Sequence, residues 1–322
     1  MKIYFLSFFI LLAFASCKND AGLEKEIAKI PIDFQVDRFD MEFAQASSED
    51  LPRLKKKYPF LFPAQYSDSL WINQMEDEVQ LELEEEVQKA FPDFESEKDE
   101  IISLFQHFKY YFPEFKAPHV VTIISEVDYR NKVVATDSLL LISLDTYLGE
   151  DHKFYDGMQV YLKKNFIEEQ LPSDIAFEYA QQLLGEEKGR SFLEQIIYYG
   201  KILYVKDKVL PFMEDARKIG YTSKEIEWAQ ANEEQIWRYF IEKELLYKTD
   251  NDLRARFINI APFSKFRLNL DNESPPQIGQ YIGWQIVRQF ANKNERITLK
   301  QLLTLDAECI FKEANFKPKK PE

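Results

Sequence analysis

The chain has few of the residues from which catalytic and nucleotide-binding sites are commonly built. Among 322 residues there are only two cysteines, three histidines and nine glycines. No glycine-rich phosphate loop, Walker sequence or dinucleotide fingerprint occurs. Two cysteines, Cys17 and Cys309, cannot supply a four-cysteine structural zinc site. His107, His119 and His152 are isolated, and no two of them have the i, i+4 spacing of a helical zinc-binding pair.

Apolar and acidic residues are abundant instead. Hydrophobic residues make up 45% of the chain and aromatic residues 15%, which predicts a well-filled core. The net charge of −14 disfavours nucleic acid and anionic membrane surfaces, because both require a basic face on the protein. No nucleic-acid partner is therefore expected. The many glutamates of residues 69–90 are expected to form a solvated helix face rather than a metal site.

The first residues have the pattern of a bacterial export signal. Lys2 precedes an apolar run, residues 3–15, that is too short to span a bilayer as a helix. The run ends in Ala-Ser-Cys17, which resembles a lipobox, with Phe14 where leucine is usual. We predict that residues 1–16 are a signal peptide and that residues 17–30 are a polar tether. Cys17 is expected to carry acyl chains, among them palmitate. The alternatives are an ordinary signal peptide with an incidental cysteine and an N-terminal membrane anchor.

Two aromatic-rich helices between Lys163 and Pro211 are predicted to form the centre of the core. The first is LPSDIAFEYAQQLL, with Ser173 as its expected N-cap. The second, SFLEQIIYYGKILYVKDKVLP, ends at Pro211 and is apolar on most sides, so it is expected to be buried. Gly200 within it would cost roughly 1 kcal/mol relative to alanine, which indicates a close neighbour at its bare backbone.

Other segments complete the prediction of an α+β, predominantly α-helical fold. β-Branched runs predict a small sheet, and apolar residues at helical spacing predict further helices. The strands are predicted at 31–39, 118–125, 131–136 and 138–144, and the helices at 40–57, 69–90, 98–112, 222–248, 278–290 and 298–305. The inner face of helix 69–90 is expected to consist of Trp71, Met75, Val79, Leu83 and Val87. Helix 222–248 begins with a capping box at Thr222, and helix 278–290 carries Gly279 and Gly283 on one face, where another helix can approach closely. Residues 249–276 are expected to be irregular. One globular domain is expected over residues 31–316, with residues 317–322 as a loose tail.

A search for catalytic patterns yields no convincing set of residues. No GxSxG elbow occurs, and Cys309 has no histidine near it in sequence. Catalysis by paired carboxylates is neither supported nor excluded, because such a pair is defined by its separation in space. The sequence therefore predicts no enzyme, and no cofactor or metal is expected.

The assembled pattern resembles the gliding-motility lipoprotein GldB family. The matching pieces are the lipobox at Cys17, IPIDFQVDRFD, IIYYGKILYVKDKVLP, EEQIWRYFIEKELLYKTD and PPQIGQYIGWQIVRQF, which span most of the chain. The resemblance implies a cell-envelope lipoprotein required for gliding, in a system connected to a dedicated secretion apparatus. It implies no known biochemical activity.

The order of strands and helices also resembles that of zinc metallopeptidases with an HExxH helix, which would make the fold zincin-like. On that template the motif falls on residues 177–181, and the third ligand falls on Tyr199, before Gly200. Phe177, Gln181 and Tyr199 would then replace all three zinc ligands, and only Glu178 would match. The scaffold would be degenerate, because phenylalanine offers no donor atom to zinc and a glutamine amide or neutral tyrosine is a poor one. The alternative is that Glu178 is an ordinary helix residue and the alignment is chance.

Three functional hypotheses follow. The main one is a non-catalytic, lipid-anchored envelope protein, in the outer membrane and facing the periplasm, that binds other gliding or secretion proteins. The second is an envelope hydrolase, peptidase-like or acting on cell-wall material, that uses carboxylates such as Glu178. The third is a solute-binding lipoprotein with an aromatic cleft near Trp237, Tyr239 and Trp284.

Overall fold

The structure is a computed structural model that describes residues 22–269 and 271–319. The predicted signal peptide, Cys17 and the last three residues of the predicted tail lie outside the described residues. The expectation of a predominantly helical α+β fold is confirmed. The helices are α1 (residues 22–27), α2 (Phe39–Ala44), α3 (Leu51–Lys57), α4 (Asp68–Glu76), α5 (Glu78–Ala90), α6 (Glu95–Tyr111), α7 (Val160–Lys163), α8 (Leu171–Leu184), α9 (Phe192–Val209), α10 (Asp215–Ile219), α11 (Ser223–Ala231), α12 (Glu233–Glu242), α13 (Asn251–Phe257), α14 (Ile278–Lys293), α15 (Leu299–Thr304) and α16 (Ala307–Ala314).

The strands form one mixed sheet in the order β1-β2-β4-β3. They are β1 (Val36–Arg38), β2 (His119–Ile123), β3 (Val133–Ala135) and β4 (Leu139–Ser143). β1, β2 and β4 are parallel, with Val36 opposite Val120 and His119 opposite Leu139, whereas β3 pairs antiparallel with β4. The strands predicted at 118–125, 131–136 and 138–144 are confirmed as β2, β3 and β4. The strand predicted over residues 31–39 is limited to its last part, residues 36–38.

Helices α9 and α14 cross with their backbones in contact, as their glycines predict. A Cβ atom added to Gly283 would lie 1.7 Å from the carbonyl oxygen of Ile196, and one added to Gly200 would lie 2.4 Å from the carbonyl carbon of Gly283. No side chain fits at either position without moving backbone. The expected close neighbour of Gly200 is thus the glycine-bearing face of α14.

Helix α9 begins and ends where the sequence indicates. The Ser191 hydroxyl accepts a hydrogen bond from the Glu194 N–H, and the Glu194 carboxylate accepts one from the Ser191 N–H at 2.9 Å, which is a capping box. The Ser173 prediction for α8 is wrong. That helix already begins at Leu171 because Pro172, with its fixed φ, fits the first helical turn.

The long helix predicted over residues 69–90 is interrupted at Asp77, so α4 and α5 are separate. The Asp77 carboxylate accepts hydrogen bonds from the N–H groups of Val79 and Gln80 at 3.0 and 2.9 Å, and so it caps α5 instead of continuing α4. The helical phase changes at this break. Val79, predicted on the inner face, is therefore 61% exposed.

Other segments differ from the predictions in the same way. The predicted helix over residues 222–248 is interrupted at Asn232, although its Thr222 capping box is present. Residues 40–57 form α2 and α3 with a turn between them, and the segment predicted as irregular, 249–276, contains α13. The first two differences concern where a helix is interrupted, and no side-chain cap marks the start of α3 or α12; α13 is an additional helix, capped by the Asp250 carboxylate.

Both ends of the described chain pack on the domain. Ile27, within the predicted tether, is fully buried, and the carboxylate of Glu24 lies 3.0 Å from Nε2 of His107. At the other end, the backbone N–H groups of Lys317 and Lys319 donate hydrogen bonds to side chains of the domain at 2.8 and 2.7 Å. Among the described helices, none is both long enough and apolar enough to cross a membrane.

Candidate functional site

A cavity of about 300 Å³ lies beside the central helices α8 and α9. One side of its wall comes from these two helices, and another comes from the β2–β3 loop through Tyr129, Arg130 and Lys132. Charged side chains and apolar groups share the lining. Those used in the following argument are Lys132, Gln170, Asp174, Phe177, Glu178 and Lys206.

Asp174 is the centre of one hydrogen-bond network at the cavity. Its carboxylate lies 2.5 Å from Nζ of Lys132 and accepts a hydrogen bond from the hydroxyl of Tyr147 at 2.9 Å. Lys132 also donates to the backbone carbonyl of Asn165 at 3.1 Å. Asp174 lies in the first turn of α8, where the helix dipole favours a negative charge. Burial and the adjacent Asp174 carboxylate raise the pKa of Tyr147 well above its usual value, so the phenol stays protonated and keeps donating.

Lys206 brings a buried ammonium group to the cavity from α9. Its Nζ donates hydrogen bonds to Oγ of Ser173 at 3.0 Å and to the carbonyl oxygen of Lys218 at 2.9 Å. It also lies 5.3 Å from the centre of the Phe177 ring, within the range of a cation–π contact. Burial lowers the pKa of Lys206 to about 8, which leaves it mostly charged near neutral pH but closer to titration than an ordinary lysine.

Glu178 differs from these groups because its carboxylate has no hydrogen-bond or ion-pair partner among residues 22–269 and 271–319. It lies on α8 one turn after Asp174 and is half-buried. Burial raises the pKa of Glu178 to about 6; the Asp174 charge adds to this effect and Lys206 opposes it. The amide oxygen of Gln170, which also lines the cavity, is buried without a partner. The cavity therefore presents two acceptor groups that the described chain does not satisfy.

The arrangement can perform two kinds of chemistry. An unpaired carboxyl with a pKa of about 6, near a lysine with a pKa of about 8, can exchange a proton with a bound molecule near neutral pH. The same carboxyl can instead accept hydrogen bonds from a ligand that carries N–H or O–H donors, whereas the covered Gln170 oxygen would have to turn toward the cavity to do so.

The four positions of the metallopeptidase template do not come together at this cavity. Phe177 and Glu178 line it. Gln181 lies one turn farther along α8 on a half-buried position. The Tyr199 hydroxyl accepts a hydrogen bond from Arg254 at 3.0 Å, beside the ion pair between Arg254 and Glu187.

The residues present do not fit a catalytic zinc ion. Within the described ranges there is no group of three or more histidine, cysteine, aspartate or glutamate side chains that could hold a metal. The three histidines face different carboxylates in different places: His107 faces Glu24, His119 faces Asp37 and His152 faces Glu86. No step through a metal is therefore derived for this cavity.

Sequence reasoning missed Lys132, Asp174 and Lys206, although two of them had a detectable pattern. Asp174 and Glu178 are four residues apart on a predicted helix, which places both on one face. Lys206 lies in a helix that is apolar on most sides, which is the pattern of a buried cation. Lys132 precedes β3 and reaches Asp174 across 42 positions of sequence, and nothing near it in the chain indicates that contact.

The residues of the predicted aromatic cleft lie in packed surroundings. Trp284 is fully buried, and its Nε1 donates a hydrogen bond to the carboxylate of Asp207 at 2.8 Å. The Trp237 ring packs edge-on against Phe316, with ring centres 5.1 Å apart. Tyr239 donates to a backbone carbonyl at 2.7 Å. Because Trp284 is fully buried, a solute cannot contact its ring.

Comparison with known protein families places the chain beside one of them over most of its length. The family model described as "Gliding motility protein GldB" matches residues 20–318, which includes every described helix and strand. No curated protein matches the chain, and no solved structure does.

Proposed function

The chain belongs to the family of the gliding motility protein GldB, and from this premise we propose that it acts as a non-catalytic binding component of the gliding machinery or of its associated secretion apparatus. Membership implies involvement in gliding motility and association with the cell envelope. The family is not a known enzyme family. The observation that carries the proposal is the length of the match, residues 20–318, which assigns nearly all of the described chain to this family.

The chemistry of the cavity supports a binding role. Lys132 is held by Asp174, and Lys206 is held by Ser173 and the Lys218 carbonyl, so both cations are already engaged within the protein. A general acid–base or nucleophilic site needs its groups free to meet the substrate. Phe177 and Gln181, at the template positions of the metal-binding histidines, offer no ligand set for a metal-activated water.

One observation favours the second candidate, an envelope hydrolase. Glu178 is the cavity carboxyl without a partner, and its pKa of about 6 suits a general acid or base near neutral pH. Glu178→Gln keeps the shape of the side chain but removes its proton chemistry. Turnover of peptide or cell-wall substrates by the full-length protein, abolished in Glu178→Gln, would establish the hydrolase and overturn the non-catalytic proposal.

We also propose that Cys17 carries the lipid and that the protein is anchored in the outer membrane, facing the periplasm. In fractionated cells the wild-type chain is expected in the membrane pellet. Cys17→Ala is expected in the soluble envelope fraction, because without acyl chains the predicted tether has nothing to insert into lipid. Membrane retention of Cys17→Ala would contradict lipid anchoring.

The experiment that tests the binding role is crosslinked affinity purification from native envelopes, with Cys17→Ala in parallel. A small, reproducible set of envelope proteins that depends on Cys17 would support the proposal and identify the partners. Recovery of no protein from wild-type cells that still glide would remove it. Gliding on agar by the same strains links each binding result to function.

A further inference from the structure

A second, larger depression borders the same β2–β3 loop. It has a volume of about 900 Å³ and runs between α4, α5 and the loop that follows β2; we call it the α4–α5 groove. Apolar side chains predominate in its lining: Tyr66, Leu70, Trp71, Val79, Leu83, Ile124, Val127, Tyr129, Phe154 and Met158. Leu70 is 45% exposed and Val79 is 61% exposed. These apolar groups are thus in contact with water in the isolated protein, which a partner would relieve.

Two polar atoms in the groove wall have no hydrogen-bond partner in the part of the chain that the structure describes. Nε1 of Trp71 is an unpaired donor, and Oε1 of Gln80 is an unpaired acceptor. Gln80 is only 5% exposed, and its Nε2 is occupied by Glu84 at 2.8 Å. A buried polar atom without a partner destabilises a protein, so a ligand that pairs with it gains free energy. One donor and one acceptor match what a peptide backbone offers, a C=O and an N–H. Both atoms are covered in the free protein, so Trp71 and Gln80 must turn toward an occupant to reach it.

The loop that forms the far wall of the groove is conformationally strained. Glu126 and Val127 have φ angles of 56° and 58°, a region that β-branched residues such as Val127 rarely occupy. Asp145, which is fully buried, holds the loop in place by accepting hydrogen bonds from the N–H groups of Ser125 at 3.1 Å and Val127 at 2.6 Å. Backbone strain of this kind persists where surrounding structure enforces it, and it clusters at binding sites.

The charged side chains in the groove lining are acidic, and Lys153, next to the lining residue Phe154, is paired with Glu82 of α5. Between Lys57 and Lys89 the sequence contains eight acidic residues and no lysine or arginine. Asp77 and Glu126 lie in the groove lining, and Glu76 and Glu78 are exposed next to it on the same helices. Such a rim attracts basic groups and repels acidic ones, and it also disfavours an anionic membrane surface as the occupant.

These observations select one kind of occupant. We propose that the α4–α5 groove binds a partner-protein segment whose apolar side chains fill the groove, whose backbone pairs with Trp71 and Gln80, and whose flanking lysines or arginines meet the acidic rim. This inference rests on the proposed binding function and names the surface that performs it. Burial of the apolar lining supplies the attraction, and the rim supplies orientation and selectivity.

A matched pair of variants on one helix tests the proposal in vitro. Val79 lines the groove, whereas Leu81, two residues later on α5 and 42% exposed, does not. Val79→Asp and Leu81→Asp add the same charge to the same helix, and neither removes a buried side chain. The probe is a short fluorescein-labelled peptide of leucine and lysine, with versions carrying glutamate for lysine and serine for leucine as controls. Fluorescence anisotropy is measured with the full-length chain purified in mild detergent.

We expect the leucine–lysine peptide to bind and the two control peptides not to bind. Val79→Asp is expected to weaken its affinity at least about tenfold (roughly 1.4 kcal/mol), and Leu81→Asp is expected to leave it unchanged within about twofold. The added negative charge by itself would strengthen binding of a basic peptide, so a loss must come from the blocked apolar contact. Equal effects of the two variants, or equal binding of the glutamate peptide, would overturn the proposal. So would a self-associated form in sedimentation that Val79→Asp dissociates, because the occupant would then be a second copy.

A second measurement in gliding cells separates this inference from the proposed function. A photo-crosslinking amino acid replaces Val79 or, as the control, Leu81, and the crosslinked peptides are identified by mass spectrometry. Crosslinks from position 79 to an apolar segment flanked by lysine or arginine would support the groove. If the affinity purification recovers partners that Val79→Asp still binds, the groove inference fails while the binding function stands. If the wild type recovers none, the proposed function itself fails.

Discussion

The contact between α9 and α14 allows a stability prediction whose size follows from the geometry. In Gly283→Ala the new methyl carbon would lie 1.7 Å from the carbonyl oxygen of Ile196 and 2.4 Å from its carbonyl carbon. Both atoms are backbone atoms of α9, so no side chain can turn away to make room. The helices must separate by roughly 1.5 Å to reach ordinary van der Waals distance, in a core that is packed as densely as a crystal.

Two opposing effects set the magnitude. Overpacking of a well-packed core costs typically about 1–3 kcal/mol and more where backbone has to move, as it must here. Alanine is favoured over glycine within a helix by roughly 1 kcal/mol, which offsets part of the loss. We expect Gly283→Ala to lower the free energy of unfolding by about 2–4 kcal/mol. Against a typical total of about 5–15 kcal/mol, this is a large change.

The same contact ranks the related substitutions. A methyl group on Gly279 would come no closer than 2.9 Å to the Phe257 carbonyl oxygen, so Gly279→Ala is expected to cost much less than Gly283→Ala. Gly200→Ala, with backbone atoms at 2.4 Å, is expected to fall between the two. The double substitution at 200 and 283 should cost less than the sum, because helices already separated by one methyl group accommodate the second more easily.

Urea unfolding followed by circular dichroism measures all four variants on one scale. The midpoint of Gly283→Ala is expected at the lowest urea concentration among the single variants, with an unchanged slope. A midpoint for Gly283→Ala equal to that of the wild type would show that α9 and α14 are farther apart than the structure has them. A larger loss for Gly279→Ala than for Gly283→Ala would refute the ranking and, with it, the assignment of the closest contact.

Two further predictions concern the buried carboxyls. Because the pKa of Glu178 is raised to about 6 in the folded protein, its protonated form favours folding. This contribution to the free energy of unfolding is complete below pH 4.5 and is lost as the pH rises through 6. Glu178→Gln should lack this component, seen as a smaller fall in urea midpoint from pH 4.5 to 7 than in the wild type; an identical fall would contradict it. Asp145→Asn should lower stability by about 1–3 kcal/mol, because it replaces one carboxylate oxygen, 3.1 Å from the Ser125 nitrogen, with an NH2 group that cannot accept from that N–H. Faster hydrogen exchange at the Val127 N–H would localise the effect, and unchanged exchange would argue against it.

The parts of the fold that sequence predicted best are those where local pattern and tertiary packing agree. The helix ended by Pro211 and the glycines at 200 and 283 were identifiable because each has a single physical explanation, a ring that stops a helix and a backbone that lacks a side chain. The break at Asp77 was missed for the opposite reason. Its neighbours on both sides favour helix, and the carboxylate of one residue decides that a new helix begins there.

The cavity was harder to predict than the fold because its contacts join distant parts of the chain. The sequence shows Asp174 and Glu178 as a pair on one helix. It does not show that Lys132 forms an ion pair with Asp174, or that Glu178 remains without a partner. That difference separates a structural ion pair from a group available to a ligand. Without a partner that stabilises its charge, the Glu178 carboxyl has a pKa that burial and the Asp174 charge raise.

The groove and the cavity share one structural element, the loop between β2 and β3. Its first half, with Val127, faces the groove; its last residues, with Lys132, face the cavity; and Tyr129 lines both. One carboxylate holds each half: the fully buried Asp145 binds the Val127 N–H, and the half-buried Asp174 binds the Lys132 ammonium. A displacement of the loop therefore alters both surfaces at once. The left-handed φ of the β-branched Val127 costs free energy in the present arrangement of the loop, so a displacement that relieves it costs less than one of an unstrained loop.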